Sequence, residues 1–234
     1  MSAPVLLLHG LATNARRTWG ETGWIDLVGD AGRTVVAPDL LGHGTAPQPT
    51  DPVEYDRFEQ YVLDQLPDEP VDAVGFSLGA RTLLVLAAAH PERFGRLVVA
   101  GVGANLFRRD GSSAALADAL DADGERDSAG GADDGLSPMV HHFRQLAASS
   151  GQSIPALVAL LRRPNPPAVD VDVLARVTHE TLVVLGDRDF AGPADPLVAA
   201  LPSCRFVELR NVDHFATPKA MGFLDAGLAH LGLF

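Results

Sequence analysis

The stretch Gly75-Phe76-Ser77-Leu78-Gly79 lies between an apolar run, Val71-Asp72-Ala73-Val74, and a helix-like stretch from Ala80 to Ala89. That order reads as strand, tight turn and helix, with a serine at the bend and glycine two positions to either side. A strand that reverses sharply into a helix forces the residue at the bend into a strained backbone conformation. Its side chain then stands out at the carboxyl edge of the sheet. Gly75 and Gly79 leave room where a side chain would collide with the neighbouring strand or helix. The pentapeptide alone is common by chance, so the weight rests on its flanks. With a strand before it and a helix after it, Ser77 reads as a nucleophile rather than as part of a structural turn.

The rest of the chain repeats the same alternation. Short β-branched or leucine runs occur at 5–8, 34–37, 71–74, 97–100, 181–185 and 205–209. Stretches of helical character lie between most of them, at 18–30, 53–66, 78–90 and 195–201, with a last one at 218–231. Strands separated by helices imply right-handed crossovers and a mostly parallel sheet of about six strands with helices on both faces, an α/β fold. The strand runs are nearly all apolar, as strands buried on both sides must be. In such sheets the functional loops follow the carboxyl ends of the strands.

Residues 102–175 break the pattern, because no convincing strand occurs there. Residues 109–137 are rich in Asp, Ala, Gly and Ser and are expected to be partly mobile. Residues 138–161 look helical in pieces, and Arg162-Arg163-Pro164-Asn165-Pro166-Pro167 stops any helix. The expected organisation is a core of residues 1–101 and 176–234, with 102–175 inserted after a central strand as a helical lid. A disordered surface excursion is the alternative.

Composition narrows the function. With 47% hydrophobic and 21% charged residues, the 234-residue chain can bury the core of one ordinary domain. A formal charge of −12 repels phosphates and argues against a nucleic-acid partner. Cys204, the single cysteine, has no internal partner and reads as a core thiol in a reducing compartment, so a cytoplasmic location is expected. No signal-like segment opens the sequence, and no apolar run approaches the roughly 18 residues of a membrane span. No metal-ligand spacing occurs, His141-His142 being an isolated pair, and no glycine-rich phosphate loop follows a strand. Neither metal nor cofactor is expected, and oligomeric state is left open.

Reading the strand ends in order gives His9-Gly10-Leu11, then Asp39-Leu40-Leu41-Gly42-His43-Gly44, then the Ser77 bend. Gly186-Asp187-Arg188-Asp189 follows a late strand, and Asn211-Val212-Asp213-His214-Phe215 follows the last. In these motifs, and in the order Ser, Asp, His, the chain resembles the α/β-hydrolases over nearly its full length. It departs in beginning directly at the His-Gly strand, so the family's first strands are expected to be missing. The resemblance implies a serine esterase with Ser77 as nucleophile, His214 as general base and acid, and Asp189 as the carboxylate that orients the imidazole. Asp187 is then left to shape its turn or face solvent. The resemblance also assigns the oxyanion donors to the backbone N–H groups of Leu11 and Leu78. His9, Asp39 and His43 read as loop supports.

The implied substrate is a small ester or related acyl compound, with Phe76, Phe143 and Phe215 as candidate pocket walls. Arg81, one helical turn past Ser77, has two readings. It resembles the arginine that meets a substrate carboxylate in the menaquinone-pathway cyclohexadiene-carboxylate synthases, though Ala80 stands where they have glycine. Its structural reading is a pairing with a carboxylate or a loop carbonyl. A serine at the bend excludes the aspartate-nucleophile chemistry of haloalkane dehalogenases and epoxide hydrolases. The same triad also suits C–C bond or thioester hydrolysis, enol-lactone opening or a lyase, and a non-catalytic ligand receptor is the remaining rival.

Overall fold

A computed structural model describes residues 3–108, 111–122 and 137–233. Its centre is a six-stranded parallel sheet: β1 (Val5–Leu8), β2 (Val35–Val36), β3 (Val71–Phe76), β4 (Phe94–Ala100), β5 (Thr181–Gly186) and β6 (Cys204–Leu209), in the spatial order β2-β1-β3-β4-β5-β6. Every neighbouring pair is parallel, with β1 and β3 in register from Val5 opposite Asp72 to Leu8 opposite Gly75. The sequence switches direction of strand order between β1 and β3, which places the loops after those two strands side by side.

Side-chain alternation along the strands divides the interior in two. Leu6 and Leu8 of β1, Ala73 of β3 and Leu97 and Val99 of β4 join one core, with Phe58 of α2 (Phe58–Leu63) and Leu83, Leu84 and Ala87 of α3 (Leu78–Ala89). Val5, Leu7, Val74, Phe76 and Val98 point the other way. They pack on Trp19, on Trp24 and Val28 of α1 (Trp24–Asp30), and on Phe223 and Leu228 of α9 (Met221–His230). Strands β1, β3 and β5 are buried along their whole length and so serve two faces at once, whereas β6 at the sheet's edge exposes Arg205, Phe206 and Glu208.

Between β4 and β5 lie α4 (Ser112–Ala122), α5 (Ser137–Ser150), α6 (Ile154–Leu161) and the short α7 (Val171–Leu174); α8 (Asp195–Ala200) follows β5. Ser153 caps α6, its hydroxyl accepting from the Ala156 amide at 3.4 Å, and Pro155 occupies the first turn where no N–H is needed. Part of the expected mobile stretch, residues 109–110 and 123–136, lies outside the described residues. The described part is helix α4. Its alanine and leucine content favours a helix, and Leu116, Ala117 and Leu120 bury one face. That face meets Val140 and Phe143 of α5 and Leu157 and Val158 of α6, while Leu11 and Phe215 pack against the same cluster. The helices after β4 therefore rest on the loops that follow β1 and β6. No described helix is long and apolar enough to cross a membrane.

Candidate active site

The chain turns from β3 into α3 through a single residue, Ser77, at φ 53° and ψ −111°. Such a conformation is costly for a residue with a Cβ, and the packing around it leaves no alternative. A Cβ on Gly75 would stand 2.6 Å from the Ala80 Cα, and one on Gly79 would stand 2.1 Å from the Leu8 carbonyl oxygen. Both obstacles are backbone, so they cannot swing aside. We expect Gly79→Ala to destabilise the protein by about 3 kcal/mol or more, the upper end of overpacking costs, read as a fall in the urea midpoint.

The Ser77 hydroxyl lies 2.9 Å from His214 Nε2. The other ring nitrogen, Nδ1, faces both oxygens of Asp189, at 2.9 and 3.0 Å. With Nδ1–H donated to the carboxylate, Nε2 is free to accept the serine proton. The Asp189 side chain is shut off from solvent, and its Oδ1 also accepts from the Ala191 amide at 2.8 Å. Gly186, ending β5, makes the turn possible: its carbonyl accepts from the Asp189 amide, and a Cβ there would strike the Val212 carbonyl. Asp187 is exposed, and Asp213 accepts from the Ala216 amide instead of touching the imidazole. Of the three acids, Asp189 is the one that faces the imidazole.

Beside Ser77 runs the loop after β1. A Cβ on Gly10 would come within 2.9 Å of the Phe76 ring and 3.4 Å of the Ser77 Cβ, so only glycine allows the loop this close. Leu11 follows it. Leu78 opens α3, where the first amide of a helix has no partner within the helix and the dipole favours negative charge. His9 and His43 are fully buried, and each reaches across to the other's loop. The Leu40 amide donates to His9 Nε2 at 3.0 Å, and the Ala12 amide donates to His43 Nε2 at 3.1 Å. Burial lowers both from 6.5, His9 to about 4 and His43 to about 3, so each imidazole is neutral at pH 7. Asp39 receives the Ala15 amide on one oxygen and the Thr45 amide and hydroxyl on the other.

Aromatic rings surround the His214 imidazole. Phe76 lies 5.0 Å from the His214 ring and Phe215 lies 5.5 Å from it edge-on; Phe143 meets Phe215 at 5.4 Å. Sequence reasoning missed two others. Phe190 covers His214 at 4.3 Å while 43% exposed, and His142 of α5 stacks on Phe215 at 3.7 Å. Phe190 directly follows the Asp189 turn, which was a signal that a side chain there would reach the site.

Arg81 meets a loop carbonyl. Its guanidinium donates to the Pro167 carbonyl at 2.5 Å, fastening the chain that leaves α6. Nearby, Arg163 grips Glu59 with two hydrogen bonds of 2.8 and 3.1 Å and lies 4.8 Å above the Phe58 ring. Burial, and then the charge of Arg163, pull the Arg81 pKa down. Among the described residues no group of three or more His, Cys, Asp or Glu could hold a metal ion.

The sequence model of the family described as alpha/beta hydrolase fold matches residues 3–131. The chain belongs to that family. Among its relatives, the 2-hydroxymuconate semialdehyde hydrolase of Pseudomonas sp. (strain CF600) is 36% identical over 103 residues, 42% of this chain and 36% of the relative. The pimeloyl-[acyl-carrier protein] methyl ester esterase of Aromatoleum aromaticum is 32% identical over 111 residues, 47% of this chain and 42% of the relative. These alignments thus span well under half of either hydrolase. The crystal structure of the enol-lactonase from Burkholderia xenovorans LB400 superposes with a TM-score of 0.71 at 20% identity, covering 99% of this chain and 92% of that one. The fold is therefore shared along nearly the whole alpha/beta hydrolase chain.

Proposed function

We propose that this alpha/beta hydrolase is a cofactor-independent serine hydrolase that cleaves a small carboxylic ester or related acyl compound through an acyl-enzyme. The observation that carries the reading is the relay from Asp189 through His214 to a serine held at positive φ. Ser77 Oγ attacks the acyl carbon as its proton passes to His214 Nε2. The tetrahedral oxyanion is met by the Leu11 and Leu78 amides. The imidazolium, steadied by Asp189, returns the proton to the leaving group, and water repeats the sequence to free the acid. Phe76, Phe143, Phe215 and Phe190 wall the acyl or leaving-group space. Helices α4 to α6 act as the lid over it, a role supported by their packing on Leu11 and Phe215.

A second reading, hydrolysis of a carbon–carbon bond, is favoured by the muconate semialdehyde hydrolase relative. A compound of that name has no ester or amide bond, so hydrolysing it means breaking carbon from carbon. The two readings separate in one experiment: turnover of p-nitrophenyl esters of graded chain length beside a 2-hydroxy-6-oxo-dienoate. Ester turnover peaking at one chain length, with the dienoate left intact, is the result expected. Dienoate cleavage with esters untouched would replace the first reading by the second.

A further inference from the structure

We propose that His9 is a positioning residue for the oxyanion site, orienting the Leu11 N–H through the carbonyl of the same peptide group. The inference rests on the serine-hydrolase reading above and specifies how one of its two donors is held. The Leu11 N–H and the Gly10 C=O are the two ends of one peptide group, which is trans, since among the described residues only Gly192–Pro193 is cis. In a planar trans peptide they point in opposite directions, so fixing the carbonyl aims the N–H.

His9 Nδ1 lies 2.8 Å from that Gly10 carbonyl. The tautomer follows from the other nitrogen, which faces the Leu40 amide at 3.0 Å. A backbone N–H can only donate, so Nε2 must be the bare acceptor and Nδ1 must hold the proton. His9 therefore donates to Gly10 O. A hydrogen bond on the carbonyl also polarises the peptide and strengthens its N–H as a donor.

The next peptide is held by the same logic. The Ala12 amide donates to His43 Nε2, and His43 Nδ1 faces the Leu41 carbonyl at 3.3 Å. Ala12 itself sits at φ 61°, a conformation that this contact helps to maintain. Three side chains cross between the loops after β1 and β2: His9 reaches Leu40, His43 reaches Ala12 and Asp39 reaches Ala15. The two peptides flanking Leu11 thus cannot rotate without breaking a buried hydrogen bond. Both imidazoles are wholly enclosed, so no water replaces a lost partner.

Two near-isosteric variants separate positioning from mere support. In His9→Asn the amide nitrogen takes the place of Nδ1 and keeps the Gly10 contact. In His9→Gln the side-chain end takes the place of Nε2 and keeps the Leu40 contact. The readout is the rate at which a fluorophosphonate labels Ser77, because its phosphoryl oxygen draws on the same donors whatever the natural substrate. His9→Gln should label about 100-fold more slowly than the unaltered protein, and His9→Asn within about tenfold of it.

For esters the loss should fall on kcat with KM within twofold. Equal labelling rates in the two variants, or a fall in thermal stability with no change in rate, would overturn the proposal. Should neither variant fold, nitrogen NMR of the unaltered protein at pH 7 decides it. A His9 imidazole protonated on Nδ1 is required, and one protonated on Nε2 refutes it. Unaltered protein that labels at Ser77 but turns over no ester would count against the ester reading alone.

Discussion

Ser77→Ala is expected to lower ester turnover by about 10⁶-fold while leaving the fold and the urea midpoint close to those of the unaltered protein. The size of the effect follows from the arrangement. His214 Nε2 faces the serine hydroxyl at 2.9 Å, so removing Oγ takes away the group that the base would activate. Asp189→Asn should cost less, about 10⁴-fold, because an amide facing Nδ1 stabilises the wrong tautomer yet leaves the nucleophile in place. The two substitutions together should cost little more than the first, since the residues act as one unit. The stability side is equally specific. Alanine retains a Cβ at φ 53°, so the strain of the bend is unchanged, and only one hydrogen bond is lost. Full turnover by Ser77→Ala would refute the acyl-enzyme mechanism, and a Ser77→Ala protein that unfolds would show that the bend is held by its hydroxyl.

Much of this arrangement is legible in the sequence because it is written in local pattern. The bend at Ser77 needs glycine at 75 and 79, and backbone atoms do stand where their Cβ atoms would go. The central strands are nearly all apolar because they feed two cores, and the apolar runs fall within a few residues of the strands. β2 was the poorest fit, with only Val35 and Val36 paired at the sheet's edge, where a single neighbour supports the strand. What the sequence hid were contacts between distant segments. Helix α4 was masked by a composition that suggested a loop, and its apolar face makes sense only against α5 and α6. Arg81 carries a charge and helical spacing that suit a ligand, but its partner is a carbonyl 86 residues away. The direction of a long side chain depends on what packs beside it, and spacing along one helix does not specify that. Phe190 follows Asp189 directly, but which way its ring points depends in the same way on what packs beside it.

Stability is expected to fall steeply between pH 6 and pH 4, in a window set by histidines rather than carboxylates. His9 and His43 are buried and neutral in the native protein, with pKa values lowered from 6.5 to about 4 and about 3. Once the chain unfolds, both imidazoles titrate near 6.5. Below that pH the unfolded state binds protons that the native state refuses, so acid favours unfolding. The contribution is complete above the unfolded value and is lost progressively as pH falls towards the native ones. Each histidine gives at most about 1.4 kcal/mol per pH unit, so the pair approaches roughly 3 kcal/mol per unit, a large share of a total of about 5–15 kcal/mol.

His142, whose pKa burial also lowers, adds in the same direction. Asp39 acts elsewhere. Burial raises its pKa, but the Thr45 and Ala15 amides outweigh that and hold it below 3.8, so its share is lost only at lower pH. Urea midpoints at pH 7.5, 6 and 5 measure the slope directly. A double variant, His9→Gln with His43→Gln, should start less stable at pH 7.5 and lose much less between pH 6 and 5. Midpoints that stay level from pH 7.5 to 5 in the unaltered protein would mean that the two imidazoles are not held neutral. The hydrogen bonds that tie the loop after β1 to the loop after β2 would then need a different proton arrangement.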